Sequence, residues 1–277
     1  MAGLGAGYAI SRAGGHTFSR PARSRIRNLT RMSEPLAVRT IVAARELTRR
    51  YGQGEAAVEA LVDVTVDFPA GRFAAIMGPS GSGKSTLMHL LAGLDRPTSG
   101  SVILDGAELG ALNDTQLTLW RREHVGFVFQ TFNLLATLDA RENILLPLAI
   151  AGRKAEPEWF DKLIDTVRIR DRLSHRPAEL SGGQQQRVAI ARALITRPAV
   201  AFADEPTGNL DSKASGEVLD LLRRAVDELG QTVVMVTHDA HAAAQADRLI
   251  VLADGRVAHD GDALDQDRIL DVMKSLG

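Results

Sequence analysis

Hydrophobic and polar positions change period several times along this chain, and each change marks an element. Val62, Val64, Val66 and Phe68 alternate with Asp63, Thr65 and Asp67, the period-2 pattern of a half-buried strand. Residues 69–72 (Pro-Ala-Gly-Arg) read as a turn, and residues 73–77 as a short strand that is apolar throughout. Strand, turn and strand predict an antiparallel pair. A glycine-rich loop over residues 78–83 follows, then a helix starting at Lys84, and residues 101–105 read as another strand. From about 131 to 180 the alternation stops. Glu142, Asn143, Ile144, Leu145, Leu148, Trp159, Leu163 and Val167 fall at helical spacings, which predicts a helical subdomain inserted between two parts of an α/β core. Beyond it the pattern predicts a helix over 188–195, a buried strand over 200–203, an amphipathic helix over 216–229 and a buried strand over 232–236. Strands alternating with helices imply parallel pairing through right-handed crossovers.

Composition narrows the class. The 277 residues are 45% hydrophobic and 24% charged, the balance of an ordinary globular protein of one or two domains. A formal net charge of -1 and a pI near 6.7 argue against a nucleic-acid binder that works through bulk charge. The chain has no cysteine, which excludes disulfide scaffolds, thiolate metal sites and cysteine nucleophiles. Its longest apolar run, 144–151, is broken by Pro147 and falls well short of the roughly 20 residues that span a bilayer. Charge is unevenly spread, however. No acidic residue occurs before Glu34, whereas Arg12, Arg20, Arg23, Arg25, Arg27 and Arg31 sit among Gly, Ser and Ala. Residues 1–35 are therefore expected to be a disordered basic tail, or a leading stretch before a true start at Met32, with an organelle transit peptide and a nucleic-acid-binding arm as the alternatives. The domain proper is expected over 36–277.

Three clusters carry chemistry. Gly78, Pro79, Ser80, Gly81, Ser82, Gly83, Lys84 and Ser85 match G-x-x-x-x-G-K-[ST] between a strand and a helix, the context that the motif requires. Glycines there let backbone N–H groups curl around phosphate oxygens, and the helix N-terminus adds partial positive charge. Lys84 is placed to reach the β and γ phosphates and Ser85 to ligate Mg²⁺. The apolar run 200–203 ends in Asp204 and Glu205, at the strand end where a metal-orienting Asp belongs; Glu205 would then face the attacking water. Leu180-Ser181-Gly182-Gly183-Gln184, extended by Gln185, Gln186 and Arg187, forms a second backbone-amide nest at a helix start. One nucleotide already has its phosphates cradled by the first loop. A second nest makes sense if it meets the γ-phosphate from another molecule, which points to a dimer with nucleotide sandwiched between protomers.

With these motifs in this order, the chain from about Leu36 onward resembles the nucleotide-binding subunits of ABC transporters. The resemblance implies a P-loop NTPase cassette of the α/β class, with a RecA-like core, an N-terminal antiparallel β subdomain and the inserted helical subdomain. It implies ATP and Mg²⁺ as ligands. By the same resemblance Tyr51 stacks on adenine and Thr86 joins the nucleotide site. Gln130 is then the glutamine that touches the metal and hinges the helical subdomain, Asp211 in Asn209-Leu210-Asp211 runs across the dimer seam, and His238 contacts the γ-phosphate. Catalysis would rest on Glu205, His238, Gln130 and Lys84, and the metal on Ser85, Gln130 and Asp204.

Finer spelling resembles the subgroup that serves lipoprotein release, macrolide export and cell-division permeases: residues 206–211 (PTGNLD), 132–135 (FNLL), 146–148 (LPL) and 175–177 (HRP). This implies export or lipoprotein release, an FtsX-like permease as partner beside a second copy of the chain, and a peripheral place on the cytoplasmic membrane face. Asp139-Ala140 departs from the Thr-Ala-like pair of that subgroup, and the linker near 154–170 is short. The competing reading is a soluble non-transport ABC ATPase. A phosphotransferase that shares only the phosphate loop would not need residues 180–184 or 209–211, and a catalytically dead regulator would not need intact Lys84, Asp204, Glu205 and His238.

Overall fold

The computed structural model describes residues 39–52, 54 and 57–276; the predicted basic tail and the question of its start lie outside the described residues. Two sheets organise the chain. The first is antiparallel, in the order β2-β1-β4-β5, built from β1 (Thr40–Tyr51), β2 (Val58–Pro69), β4 (Ser99–Leu104) and β5 (Ala107–Glu108). The second has six strands in the order β10-β9-β3-β8-β7-β6: β3 (Phe73–Met77), β6 (Val125–Val128), β7 (Val200–Asp204), β8 (Val233–Val236) and β9 (Arg248–Ala253) are parallel, and β10 (Arg256–Asp262) closes the edge antiparallel to β9.

One strand pairing differs from the sequence expectation. β2 and β3 do not pair, because they lie in different sheets, β2 against β1 and β3 between β8 and β9. The burial pattern gives the reason. β2 alternates between buried and more exposed positions, whereas all five residues of β3 are buried. A strand apolar on both faces belongs in the middle of a parallel sheet. Phe73, Ala75 and Met77 enter one core with Ala201, Ala203, Val233 and Met235, while Ala74 and Ile76 enter a second with Val200, Phe202, Val234 and Val236. The parallel sheet thus carries a hydrophobic layer on each face.

Helices supply those layers. α1 (Lys84–Leu91) buries Leu87, Met88, Leu90 and Leu91 in the core that also holds the inner faces of β1 and β2. α2 (Asp114–His124) starts at an Asn113–Gln116 capping box. Between β6 and β7, two hydrogen-bonded neighbours, the chain makes α3 (Ala140–Ile150), α4 (Pro157–Val167) and α5 (Gly182–Leu194). Asp139 caps α3 through a box with Glu142, so the departure from a Thr-like residue keeps an acceptor at the N-cap. Fully buried Asn143 fixes the chain before α3: its Oδ1 accepts from Leu135 N at 2.8 Å, and its Nδ2 donates to the carbonyls of Leu135, Leu138 and Asp139. α5 is shared, packing against α3 and α4 and against β6 and α6 (Ser212–Leu229). α6 begins four residues before its amphipathic pattern because Asp211 caps it. A short α7 (Ala240–Ala243) and α8 (Gln266–Ser275) complete the chain. Among the described residues no helix is long and apolar enough to cross a membrane.

Candidate functional site

The site sits where the central strands end. Ile76, Val236 and Asp204 are register partners across β3, β8 and β7, so the residues that follow each strand emerge at one level of one sheet edge. After β3 comes the phosphate loop, after β7 Glu205, and after β8 Thr237 and His238. A strand C-terminal edge in an open α/β sheet is where ligands bind.

The loop folds as its glycines allow. Gly78, Gly81 and Gly83 all have positive φ, at 148°, 80° and 98°. A side chain on Gly78 would stand 2.1 Å from the Leu252 carbonyl oxygen, and one on Gly83 2.4 Å from that of Ala60. Backbone packs directly on backbone there. Ser80 and Gly81 are exposed at the loop tip with Ser85 beside them at the first turn of α1, whereas Ser82 is buried and Thr86 partly so. Lys84 Nζ donates to the carbonyls of Gly78 at 2.9 Å and Pro79 at 2.8 Å. An ammonium has three donors, so one remains for a phosphate oxygen. Burial pulls the Lys84 pKa down, and the neighbouring Glu205 and Asp204 carboxylates oppose that shift.

Asp204 shows the opposite pressure. Burial raises its pKa, Glu205 adds to this, and His89 and Lys84 oppose it. His89, on α1 beneath the loop, is a neighbour that sequence reasoning did not single out. This under-compensated carboxylate and the hydroxyl of Ser85 are hard oxygen donors suited to Mg²⁺, which is held by one or two carboxylates together with substrate phosphates. The residues fit the metal. A raised carboxylate pKa also has a sign for stability: the ionised form is penalised in the folded state, so the penalty is present above the folded pKa and fades as pH falls into the ordinary carboxylate range. Asp204→Asn is therefore expected to raise the thermal midpoint of the nucleotide-free protein at neutral pH, with a gain that shrinks on acidification; scanning calorimetry against pH checks this.

Glu205 and His238 meet. His238 Nδ1 lies 2.7 Å from Glu205 Oε2, with the imidazole 72% exposed and the carboxylate 21% exposed. Glu205 holds φ +47°, uncommon for a residue with a side chain, and its N–H donates to the Val236 carbonyl at 2.9 Å. The strained backbone aims the carboxylate out of β7 and toward the loop that follows β8. Both residues line an open cavity of about 660 Å³ with Thr207, Gly208 and Thr237.

Gln130 is engaged elsewhere. Its Nε2 donates to Asn209 Oδ1 at 3.2 Å, and Asn209 Nδ2 donates back to the Gln130 carbonyl at 3.0 Å. Gly208 makes room, since a Cβ there would stand 2.7 Å from Gln130 Nε2. The sequence marks Asn209 only as part of its motif, because a reciprocal bond across 79 positions leaves no local signal.

The second nest is built as a helix start. Ser181 caps α5: its Oγ accepts from Gln184 N at 3.3 Å, and Gln184 Oε1 accepts from Ser181 N at 3.0 Å. The Ser181 and Gln184 side chains thus serve the cap, and the anion-facing groups are the N–H donors of Gly182 and Gly183. Ser181, Gly183 and Gln184 line a cavity of about 540 Å³ that contains no phosphate-loop residue. Asp211 likewise caps its own helix, accepting from Ala214 N at 2.8 Å. Tyr51 ends β1. The residue is 40% exposed, with the Arg49 guanidinium 4.4 Å from the ring centroid and the phenol OH donating to Asp95 at 2.9 Å. Tyr51 pairs with Val58 of β2, the strand whose Ala60 packs on Gly83.

Known proteins resemble this chain. A family model described as ABC transporter matches residues 61–208. The lipoprotein-releasing system ATP-binding protein LolD 1 of Chlorobium chlorochromatii is 48% identical over 201 residues, covering 72% of this chain and 82% of that protein. The macrolide export ATP-binding/permease protein MacB of Brucella melitensis is 45% identical over 222 residues, covering 79% of this chain and 34% of that protein. The chain thus spans about a third of the length of the MacB relatives it matches. Among solved structures, the dimeric, post-hydrolysis ATP-binding cassette MJ0796 bound to ADP and Pi superposes with a TM-score of 0.72 at 41% identity, covering 80% of this chain and 99% of that one.

Proposed function

The chain belongs to the ABC transporter ATP-binding family, and from that premise we propose that it is an ATP-hydrolysing subunit that dimerises around two ATP molecules and drives an FtsX-like permease. The observation that carries this reading is the shared edge of β3, β8 and β7, which brings Lys84, Asp204, Glu205 and His238 together.

The chemistry follows from those groups. Backbone amides of the phosphate loop and Lys84 hold the β and γ phosphates. Glu205, aligned by His238, orients a water in line with the γ-phosphorus and accepts its proton as the new P–O bond forms. The bond to the β–γ bridging oxygen breaks, and inorganic phosphate and ADP separate. Ser85 and Asp204 would hold Mg²⁺, with Gln130 as a further donor once it leaves Asn209; when bound, the cation neutralises charge on the phosphate oxygens. Little covalent work falls to the protein, so positioning and charge supply the acceleration.

Two copies are needed on this reading. The Gly182 and Gly183 amides of one copy would close on the γ-phosphate held by the phosphate loop of the other. The dimeric assembly of the MJ0796 cassette supports that arrangement. Cleavage removes the phosphate that favoured the closed pair, the differential contact that a conformational switch requires. Opening would move α3 and α4 and the permease docked near 131–135, on the cytoplasmic membrane face. The test is capture from detergent-solubilised membranes, with ATP turnover measured alone and with the captured protein. A permease with few membrane spans and a large external domain, which changes the turnover rate, is expected. Turnover with no membrane protein captured would favour the soluble ATPase reading instead.

A further inference from the structure

α5 does more than present its N-terminus. Gln186 lies on this helix, four residues after Gly182 and so on the same face. Its side chain is fully buried. Nε2 donates to the Pro206 carbonyl at 2.6 Å and, more weakly, to the Phe129 carbonyl at 3.4 Å. Pro206 immediately follows Glu205, and Phe129 immediately precedes Gln130. Gly182 touches the same two loops one turn earlier, where a Cβ would stand 3.2 Å from Leu210 and 3.7 Å from Phe132. Farther along, Arg192 donates to the carbonyls of Phe132 at 2.7 Å and Asn133 at 2.5 Å, two residues held at positive φ. The Gly182–Gln186 face of α5 touches both the loop that bears Gln130 and the loop that bears Glu205, and Arg192 holds the first of these loops from a different face.

Gln186 also keeps a cost that plain packing does not need. Its Oε1 is buried and has no hydrogen-bond partner among the described residues. A buried acceptor left unpaired is destabilising, and an apolar group of the same shape removes that penalty. Stability alone does not account for a glutamine here.

We propose that Gln186 is a positioning residue that sets Glu205 and Gln130 together, through the backbone carbonyls beside them, and passes movement of the α5 N-terminus to both. The inference rests on the ATPase reading above and deepens it. When the Gly182 and Gly183 amides engage a partner's nucleotide, the shift of α5 is felt at the water-orienting carboxylate and at the metal-facing amide in one motion.

The test uses the full chain with Gln186→Met, which keeps the length and apolar volume of the side chain and loses the donor. Four readouts are compared with wild type: thermal midpoint, affinity for a fluorescent ATP analogue, kcat against KM, and hydrogen–deuterium exchange of residues 129–133 and 205–210. The midpoint and nucleotide affinity are expected to hold, exchange in both loops to rise, and kcat to fall about 10–100-fold with KM unchanged, since a small misplacement of reacting groups costs that much. In a Glu205→Gln background, Gln186→Met should cost less than it does in wild type, because one of the two groups it positions is already gone. Unchanged exchange in both loops would overturn the proposal whatever the turnover. A fall in kcat that tracks a fall in midpoint and nucleotide affinity would reduce Gln186 to packing. Losses that multiply with Glu205→Gln would show that it does not act through Glu205. Should the Met variant not fold, Gln186→Asn, a donor on a stem one methylene shorter, carries the same expectations. A wild-type protein without turnover would count against the ATPase reading, while the exchange comparison still decides whether Gln186 holds the two loops.

Discussion

Glu205→Gln binds ATP at wild-type affinity and hydrolyses it about 10²–10³-fold more slowly, the loss expected when one positioned proton acceptor or charge-matched group is removed from a reacting centre. The amide keeps the shape of the side chain, and a hydrogen bond from His238 Nδ1, now 2.7 Å from the carboxylate, can still reach its oxygen. What disappears is a group able to take the proton of the attacking water. Backbone φ at residue 205 is unaffected in kind, so the strand end and the cavity beside it persist. Single-turnover measurement of γ-phosphate release, paired with equilibrium nucleotide binding, checks both halves. Near-normal release would remove Glu205 from the mechanism and leave its strained backbone unexplained.

Ser181→Arg abolishes turnover while each single chain still binds nucleotide. The substitution acts in three ways at one place. It deletes the acceptor that caps α5, a loss of about 0.5–2 kcal/mol for such residues. It puts a cation at the positive end of the helix, where the macrodipole disfavours it. It also sets a long side chain beside the Gly182 and Gly183 amides that would receive the partner's phosphate. Ser181→Ala separates these effects, since it removes the cap alone and is expected to keep measurable turnover with a modestly lower thermal midpoint. Nucleotide binding is expected to survive in both, because the cavity at Ser181 shares no residue with the phosphate loop. Full activity of the Arg variant would refute the shared site.

Much of this is legible in the sequence, for specific reasons. The phosphate loop is readable because its glycines answer a local demand: positive φ at 78, 81 and 83, and bare backbone contact at 78 and 83. Asp204 and Glu205 are readable because an apolar run ends on them. The Asn113–Gln116 box and the Asp254-Gly255 turn between β9 and β10 are local signals of the same kind. The β2–β3 pairing was misjudged because alternation reveals a strand but not its neighbour; the unbroken apolar run of β3 was the cue for a central parallel position. What no local pattern holds is contact across distance. The Gln130–Asn209 pair spans 79 positions, and Gln186 reaches Pro206 across 20 and Phe129 across 57. Those contacts join the two catalytic loops.

The same contacts give the fold its functional logic. Ser181 and Asp211, expected at a seam, cap helices in their own chain, so their presence has a local cause as well as any role between copies. The glycine amides of α5, the face behind them and the two loops it holds form one connected path from the helix start to Glu205.

The central claim is that two copies close on ATP, each completing the other's site. Sedimentation velocity of the Glu205→Gln protein, with ATP and magnesium, measures it most directly. The expected result is a dimer that forms only with nucleotide and is lost when Ser181→Arg is added. A single-copy species throughout, with the membrane partner present as well as absent, would contradict it.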